Sequence, residues 1–195
     1  MPSEPLILAF DTSAAHCAAA LLRGDRIVAS CVEPMSRGQA ERLMPLLEEV
    51  LSSEQCSWRD LSAIGVGIGP GNFTGIRISV SAARGLALGL GIPAIGVSGF
   101  DALAVLDSDA LPAIRAPRDQ VYVSQPDMEP ALIQLDQAKS LGTLMFNDNP
   151  KAQVCAIARV AAQRRLTKTE APAPLYIRPA DAAPSKDQPP MLLDG

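Results

Sequence analysis

The sequence predicts an α/β fold, because apolar runs with the length of strands alternate with segments of helical periodicity. Two observations carry this prediction. Residues 6–10 form a continuous apolar run suited to a buried strand, and residues 65–75, which read GVGIGPGNFTG, lead from a second such run directly into an amphipathic segment. With 195 residues, of which 48% are hydrophobic, the chain can fill the core of one domain or of two small lobes.

The first elements are predicted in the order strand, hairpin, helix. Residues 11–13 form a polar turn after the strand at 6–10, and two apolar stretches at 17–22 and 27–32 flank a second turn. Apolar side chains then follow helical spacing and predict a helix over residues 39–51. This helix is apolar around most of its circumference, so we expect it to bury two faces. Pro45 is expected to kink it or to loosen its first turns.

The remaining elements are predicted less clearly towards the end of the chain. A strand at 63–68, a long helix at 73–90 and a strand at 92–97 continue the alternation. Beyond residue 104, the pattern predicts strands at 111–114 and 121–124 and helices at 136–141 and 152–165. Frequent prolines predict an extended tail over 171–195, apart from a short packed piece at 175–177.

The glycine-rich run has two interpretations that the residues alone leave open. Its glycines allow positive φ and close backbone approach, and Asn72 or Thr74 can cap the helix that follows. The run is not a Walker A loop, because Gly75 is followed by Ile76 and Arg77 rather than by Lys and Ser or Thr. It also lacks the third glycine of a dinucleotide fingerprint. The loop is therefore either an anion site at a helix start or a structural turn.

Composition excludes several function classes. The net charge is −4 and the basic residues are scattered, so tight binding of nucleic acid without a partner is not expected. His16 is the only histidine, which excludes a metallopeptidase or any metal site with two histidines. The four cysteines, Cys17, Cys31, Cys56 and Cys155, form no CxxC pair. Without a signal peptide or membrane segment in view, we expect reduced thiols and a cytoplasmic protein.

Several motifs together resemble the TsaB (YeaZ) family. The pattern GxGPGxFTGxR lies at the glycine-rich run, ILAFDTS occupies residues 7–13, and SRGQAERLMPLLEEVL occupies residues 36–51. The resemblance is dense over residues 5–104 and thin afterwards. Just before Val121-Tyr122, where the family usually has Asp-Ala-Arg, this sequence reads Arg115-Ala116-Pro117-Arg118. It implies an actin, Hsp70 and sugar-kinase-like (ribonuclease H-like) two-lobe fold with a shortened second lobe. The expected division is an N-terminal lobe at 1–104, a reduced C-terminal lobe at 105–170 and a tail at 171–195.

The resemblance also implies a function. Members of this family are non-catalytic subunits that bind and stabilise a catalytic TsaD-type homologue, which transfers threonylcarbamoyl to N6 of adenosine 37 of tRNA. The implied partners are that homologue, a TsaE-type ATPase and, when the chain is alone, a second copy, with tRNA reached only through the complex. No catalytic residue, metal or cofactor of its own is expected. The alternative is a small-molecule kinase or hydrolase of the same fold, but a kinase needs two phosphate loops and a full second lobe.

Two groups of site residues follow from these arguments. Asp11, Gly69 and Gly71 are candidates for a shared nucleotide or anion site, although Asp11 lies in a turn without the glycine of a DxG phosphate loop and can equally cap that turn. The second group is an interface predicted on two helices, with both helices packing inside the chain as the alternative. It consists of Leu43 and Leu47 on the first helix and the small residues Gly75, Ser79, Ala83 and Ala87 on the second.

Overall fold

A five-stranded mixed sheet lies at the centre of the structure, a computed structural model that describes residues 4–167 and 170–177. Its first three strands are β1 (Leu6–Asp11), β2 (His16–Arg23) and β3 (Arg26–Pro34), which pair antiparallel in sequence order. Strand β4 (Ala63–Gly67) joins β1 in parallel, and β5 (Ala94–Val97) joins β4 in parallel. The strand order β3-β2-β1-β4-β5 therefore places β1 in the middle.

Helices cover both faces of this sheet, as the continuous apolar character of β1 requires. Alternate residues of β1 enter different cores: Leu8 and Phe10 pack with α1 (Gln39–Ser53) and α2 (Phe73–Leu90), whereas Ile7 and Ala9 pack on the other side. That second side is covered by α5 (Pro150–Arg164), with α3 (Gly99–Leu106) beside it. The sheet is thus the middle layer of a three-layer sandwich.

A second, smaller sheet follows α3. Its strands are β6 (Leu111–Ala116), β7 (Gln120–Val123), β8 (Ala131–Gln134) and β9 (Leu144–Met145), in the order β8-β7-β6-β9. This sheet has a small core of its own, which contains Ala113 and Val121 of its strands and Ala138 of a short helix, α4 (Leu135–Lys139). The chain then returns through α5 to the first sheet.

Helix α1 differs from its prediction in one respect. It buries only one face, through Leu43, Leu46, Leu47, Val50 and Leu51. The opposite side carries Glu41, Glu48 and Glu49 to solvent, so this chain itself covers only one of the two faces that were expected to be buried. The helix continues through Pro45, an exposed residue in its second turn, where the missing N–H removes a single helical bond.

Residues 170–177 cross the carboxyl ends of β4 and β5. The Leu175 N–H donates to the carbonyl of Ile68 at 2.8 Å, and Pro172 is buried beside Gly96. The Tyr176 ring then stacks on Phe73 in the first turn of α2, with ring centroids 4.8 Å apart. The prediction of a packed piece at 175–177 is confirmed, whereas the rest of the predicted tail, 178–195, lies outside the described residues.

Candidate functional site

A cleft with a volume of about 780 Å³ lies between the two sheets. One wall is formed by the turn after β1 and by the glycine loop before α2. The other wall is formed by β6, β7, the segment after β9 and the start of α5. The polar groups at its surface include Asp11, Ser13, His16, Gln39, Asn72, Arg115, Asn147, Asp148 and Gln153. This volume is typical of small-molecule sites.

Asp11 ends β1 and is 2% exposed. One carboxylate oxygen accepts hydrogen bonds from the Ser13 hydroxyl at 2.9 Å and from the Nε2 of His16 at 2.9 Å. The other accepts from the Ser13 N–H at 3.3 Å. Asp11 therefore caps its own turn, the second of the two roles that the sequence left open, and it also orients the buried ring of His16.

The glycine loop packs directly against the turn that Asp11 caps. A Cβ at Gly67 would overlap the Asp11 carboxylate, and one at Gly71 or Gly75 would overlap a backbone oxygen of Ser13 or Thr12. Only a glycine allows this close approach of two backbones. Gly69 has φ +94°, as expected for a turn glycine, whereas Gly71 does not have a positive φ. The requirement for glycine at Gly71 thus comes from close approach to Ser13.

Hydrogen bonds complete this junction. The Asn72 N–H donates to the carbonyl of Ser13 at 2.6 Å, and the Thr12 hydroxyl donates to the carbonyl of Gly75 at 2.7 Å. The Asn72 side chain caps α2 by accepting from the Gly75 N–H at 2.8 Å. The N–H groups of Asn72 and Gly75 thus donate within the chain and hold the loop against the turn after β1.

The opposite wall of the cleft carries the departure from the family motif. The Arg115 guanidinium lies 4.3 Å from the ring centroid of Phe146, and its Nε lies 3.4 Å from a carboxylate oxygen of Asp148. The Arg115 and Asp148 side chains are both mostly exposed. This wall therefore presents a cation that is stacked on an aromatic ring and only weakly paired.

An ion pair joins the helices on the side of the sheet next to the cleft. Asp101 forms a capping box with Ser98 at the start of α3, and Arg164 of α5 donates to both carboxylate oxygens of Asp101, at 2.7 and 3.2 Å. Burial opposes ionisation of Asp101, but the hydrogen bonds from Arg164 and Ser98 outweigh it and lower the pKa of this carboxyl.

Elsewhere, burial and the neighbouring Glu33 raise the pKa of the Cys17 thiol to about 11.

The predicted interface residues do not form an exposed surface. Ser79 and Ala83 are fully buried, and the Ser79 hydroxyl donates to the carbonyl of Gly67 in β4 at 3.3 Å. The other predicted residues, Leu43, Leu47, Gly75 and Ala87, are at most 9% exposed. The expectation that the small residues of α2 face a partner is wrong, because their lack of bulk lets α2 approach the chain's own sheet.

The exposed sides of α1 and α2 carry different residues. On α2 they include Arg77, Ser81, Arg84, Gly85, Leu88 and Gly89, and on α1 they include Glu41, Met44, Pro45 and Glu48. The Leu88 side chain is 86% exposed, and a Cβ at Gly85 or Gly89 would meet nothing within 4 Å. Gly85 and Gly89, four residues apart, were the sequence signal for this open side. The buried small residues at 75, 79, 83 and 87 have the same spacing, so the spacing alone did not distinguish the two sides.

Neither a cluster of metal ligands nor a membrane-spanning helix is found among the described residues. Within 4–167 and 170–177, no group of three or more His, Cys, Asp and Glu side chains is arranged to hold a metal ion. In the same ranges, no helix combines the length and apolar character that crossing a bilayer requires.

Comparison with known proteins adds sequence relatives. The family model described as TsaD: tRNA N6-adenosine threonylcarbamoyltransferase matches residues 32–174, which is more than half of the chain. The tRNA threonylcarbamoyladenosine biosynthesis protein TsaB of Escherichia coli (strain K12) is 41% identical over 92 residues, covering 47% of this chain and 39% of that protein. TsaB of Bacillus subtilis (strain 168) is 38% identical over 120 residues, covering 60% and 52%. The chain spans about half the length of the curated relatives it matches.

Solved structures agree with these relatives. YeaZ from Pseudomonas aeruginosa superposes with a TM-score of 0.70 at 26% identity, covering 89% of this chain and 100% of that chain. A protein described as uncharacterized, with similarity to peptidase YEAZ from Pseudomonas aeruginosa, gives a TM-score of 0.72 at the same identity and coverage. The predicted α/β fold class is confirmed, and these YeaZ structures share the fold.

Proposed function

The chain belongs to the TsaB (YeaZ) family, and from that premise we propose that it is a non-catalytic subunit in tRNA threonylcarbamoyladenosine biosynthesis. In this role it binds and stabilises a catalytic TsaD-type homologue, which transfers the threonylcarbamoyl group to N6 of adenosine 37 of tRNA. A TsaE-type ATPase is the proposed third member of the complex. In the absence of these partners, a second copy of the chain occupies the same surface.

The observation that carries this proposal is the junction between the Asp11 turn and the glycine loop. In a kinase of this fold the corresponding region must leave backbone N–H groups and a carboxylate free for phosphate and Mg²⁺. Here Asp11 accepts from Ser13 and His16, and the N–H of Asn72 donates to Ser13. These groups hold β1 against α2, which supports a scaffolding role for the loop.

A second support is the open side of α1 and α2. These helices cover one face of the main sheet with their buried sides, and their outer sides hold exposed apolar groups such as Met44 and Leu88. Gly85 and Gly89 leave space for a helix backbone to approach α2 closely. We therefore place the proposed partner surface on these outer residues, which replace the buried set predicted from the sequence.

The alternative, a small-molecule kinase or hydrolase, is favoured by one observation only. The cleft of about 780 Å³ has the size of a ligand site and combines polar groups with apolar wall residues such as Leu103 and Phe146. Asp11 lines this cleft, and with Gly69 and Gly71 it remains the proposed location of a nucleotide or anion site shared with a partner. Turnover of ATP by the purified chain that is lost in Asp11→Ala would establish this alternative.

Binding to the catalytic homologue from the same genome tests the proposed function. We expect the two purified proteins to co-elute from a size-exclusion column, and the mixture to modify tRNA faster than the homologue alone. Gly85→Arg should abolish both effects while keeping the protein folded, because the new side chain projects from α2 into open space. Ala104→Arg, at an exposed position of α3 on the other face of the sheet, is the matched control.

The two substitutions distinguish a specific surface from a general effect of added charge. Loss of co-elution in Gly85→Arg and its retention in Ala104→Arg would support the proposal. If the wild-type chain does not associate with the homologue and does not accelerate tRNA modification, the proposed function is wrong. If both variants bind normally, the function stands but the partner surface lies elsewhere.

A further inference from the structure

Helix α1 begins without a side-chain cap. By contrast, Asn72, Ser98 and Asn149 each accept a hydrogen bond from the first turn of α2, α3 and α5, respectively. The corresponding residue of α1 is Gly38, which has φ +88°, and a Cβ at this position would meet nothing within 4 Å. In the part of the chain that the structure describes, the N–H groups of residues 39–41 donate to no backbone oxygen. The positive end of α1 therefore presents unpaired N–H groups.

This end of α1 lies at one corner of the cleft between the two sheets. Ser36 and Gln39, which stand on either side of Gly38, both line the cleft. The segment before α1 is fixed next to the start of β2, because the Met35 N–H donates to the Ala15 carbonyl at 3.0 Å. The free N–H groups of α1 are thus held beside the first residues of β2 at the wall of the cleft.

His16, the first residue of β2, lines the same cleft. Its side chain is only 10% exposed, and its Nε2 donates to the Asp11 carboxylate at 2.9 Å. Its Nδ1 forms no hydrogen bond with the described residues, among which no buried side-chain nitrogen or oxygen lacks a partner. Nδ1 is therefore accessible, and the space that reaches it is the cleft. Because Nε2 carries the proton that Asp11 accepts, the neutral ring presents a lone pair at Nδ1.

These groups define the chemistry of an ion that fits the corner. The N–H groups and the dipole of α1 attract an anion. The lone pair of Nδ1 favours an anion that also carries an O–H group, since a fully deprotonated oxygen would be repelled. A carboxylate lacks this proton, whereas hydrogen phosphate combines one O–H with three acceptor oxygens. Asp11 and Asp148 also line the cleft, and their negative charges disfavour a chain of several phosphates.

We propose that the corner formed by His16, Ser36 and the start of α1 is a binding site for a single phosphate group. The phosphate oxygens accept from the N–H groups of residues 39–41, and the O–H of the phosphate donates to Nδ1. The site is separate from the glycine loop, where the N–H groups of Asn72 and Gly75 donate within the chain. Inorganic phosphate and a singly charged phosphate monoester share this chemistry. Binding is expected of the purified chain alone, so the proposal does not depend on the proposed function.

The only histidine of the chain makes the site directly observable by NMR. We expect inorganic phosphate at millimolar concentration to shift the imidazole proton resonances of His16 in a saturable manner. Acetate at the same pH and ionic strength should shift them much less, because it has no O–H group to donate to Nδ1. A parallel titration with AMP distinguishes the two sources of phosphate: tighter binding of AMP assigns the site to a monoester, and tighter binding of inorganic phosphate assigns it to the free ion.

Three variants test the two halves of the site. Glu41 is exposed in the first turn of α1, so Glu41→Gln removes a repulsive charge and should strengthen phosphate binding by about two- to threefold. Glu48→Gln makes the same change two turns further along the helix and should bind like the wild type. His16→Gln keeps an N–H group for Asp11 but removes the imidazole, and it should weaken binding by about fivefold or more. Calorimetry measures the affinities, and circular dichroism verifies folding.

Three results would overturn the inference. If phosphate shifts the His16 resonances no more than acetate does, or binds more weakly than hydrogen carbonate, the corner does not select a phosphate group. If Glu41→Gln and Glu48→Gln bind phosphate equally well, the anion does not lie at the start of α1. If folded His16→Gln binds phosphate like the wild type, Nδ1 does not contact it. Should His16→Gln not fold, the comparison of Glu41→Gln with Glu48→Gln decides.

Discussion

Replacing Gly75 by alanine should destabilise the protein, although the same replacement at Gly85 in the same helix should stabilise it. Alanine has the higher helix propensity by about 1 kcal/mol, so both substitutions begin with the same favourable contribution. At Gly85 nothing lies within 4 Å of the new Cβ, and this contribution remains. At Gly75 the new Cβ overlaps the carbonyl oxygen of Thr12, a backbone atom that cannot rotate away.

The size of the difference follows from the overlap. Overpacking against a rigid neighbour costs about 1–3 kcal/mol or more, and movement of the turn also weakens the hydrogen bond from the Thr12 hydroxyl to the Gly75 carbonyl. We therefore expect Gly75→Ala to lower the free energy of unfolding by about 2 kcal/mol and Gly85→Ala to raise it by roughly 0.5–1 kcal/mol. In a chain of this size the melting temperature should fall by about 4–8 °C in the first variant.

Urea denaturation followed by circular dichroism measures both variants under one condition. The reasoning requires opposite signs within one helix, so a general effect of glycine replacement cannot produce the result. If Gly75→Ala is as stable as Gly85→Ala, the turn at Asp11–Ser13 moves away from α2 without loss. The close approach of these two backbones would then not stabilise the fold.

Three further predictions concern an ion pair, a buried thiol and an aromatic stack. Asp101→Asn should destabilise the protein at neutral pH, and its difference in unfolding free energy from the wild type should shrink as the pH falls below about 4. The pKa of Asp101 is lowered in the folded protein, so the ionised carboxylate stabilises the fold above the unfolded pKa and loses this effect as it protonates. Urea denaturation at several pH values measures this difference, and a constant difference would contradict the prediction. Burial raises the pKa of Cys17 to about 11, so iodoacetamide at pH 8 should leave Cys17 unmodified in the folded protein and modify it in urea, as peptide mass spectrometry can measure; rapid labelling of the folded chain would refute its burial. Tyr176→Ala should lower the free energy of unfolding by about 1 kcal/mol, because the stack on Phe73 is lost. A double-mutant cycle with Phe73→Ala measures the coupling, and zero coupling would show that the stack does not stabilise residues 170–177.

The sequence predicted the main sheet and its long helices well, because the strands are continuous apolar runs and the long helices have a strong periodic pattern. Helix α2 begins and ends at the predicted residues, Phe73 and Leu90, since Asn72 caps its start and Gly91 adopts the left-handed conformation at its end. Strand β9 has only two residues and could not be recognised. Helix α3 was not predicted because its eight residues are too few for a helical period to stand out beside the preceding strand.

The site was predicted less well than the fold. Asp11, Gly69 and Gly71 all line the cleft between the two sheets, but the hydrogen bonds of the Asp11 turn depend on the distance between two backbones, which no sequence pattern encodes. The stripe at Gly75, Ser79 and Ala83 has the spacing of a helix contact, and such spacing does not distinguish a partner helix from the chain's own sheet. Which residues of α2 face outward was therefore identified from the structure, not from the sequence.

The return of α5 to the first sheet has a consequence for synthesis on the ribosome. The apolar residues Ile7, Ala9 and Ala18 on one face of this sheet are covered by a helix that begins only at Pro150. A nascent chain that has already formed the hairpin thus exposes this face until residues 150–164 have emerged, and contacts of such large sequence separation form slowly. Association with other apolar surfaces competes with folding during this interval, so we expect the yield of soluble protein to respond to chaperone supply and to the rate of translation.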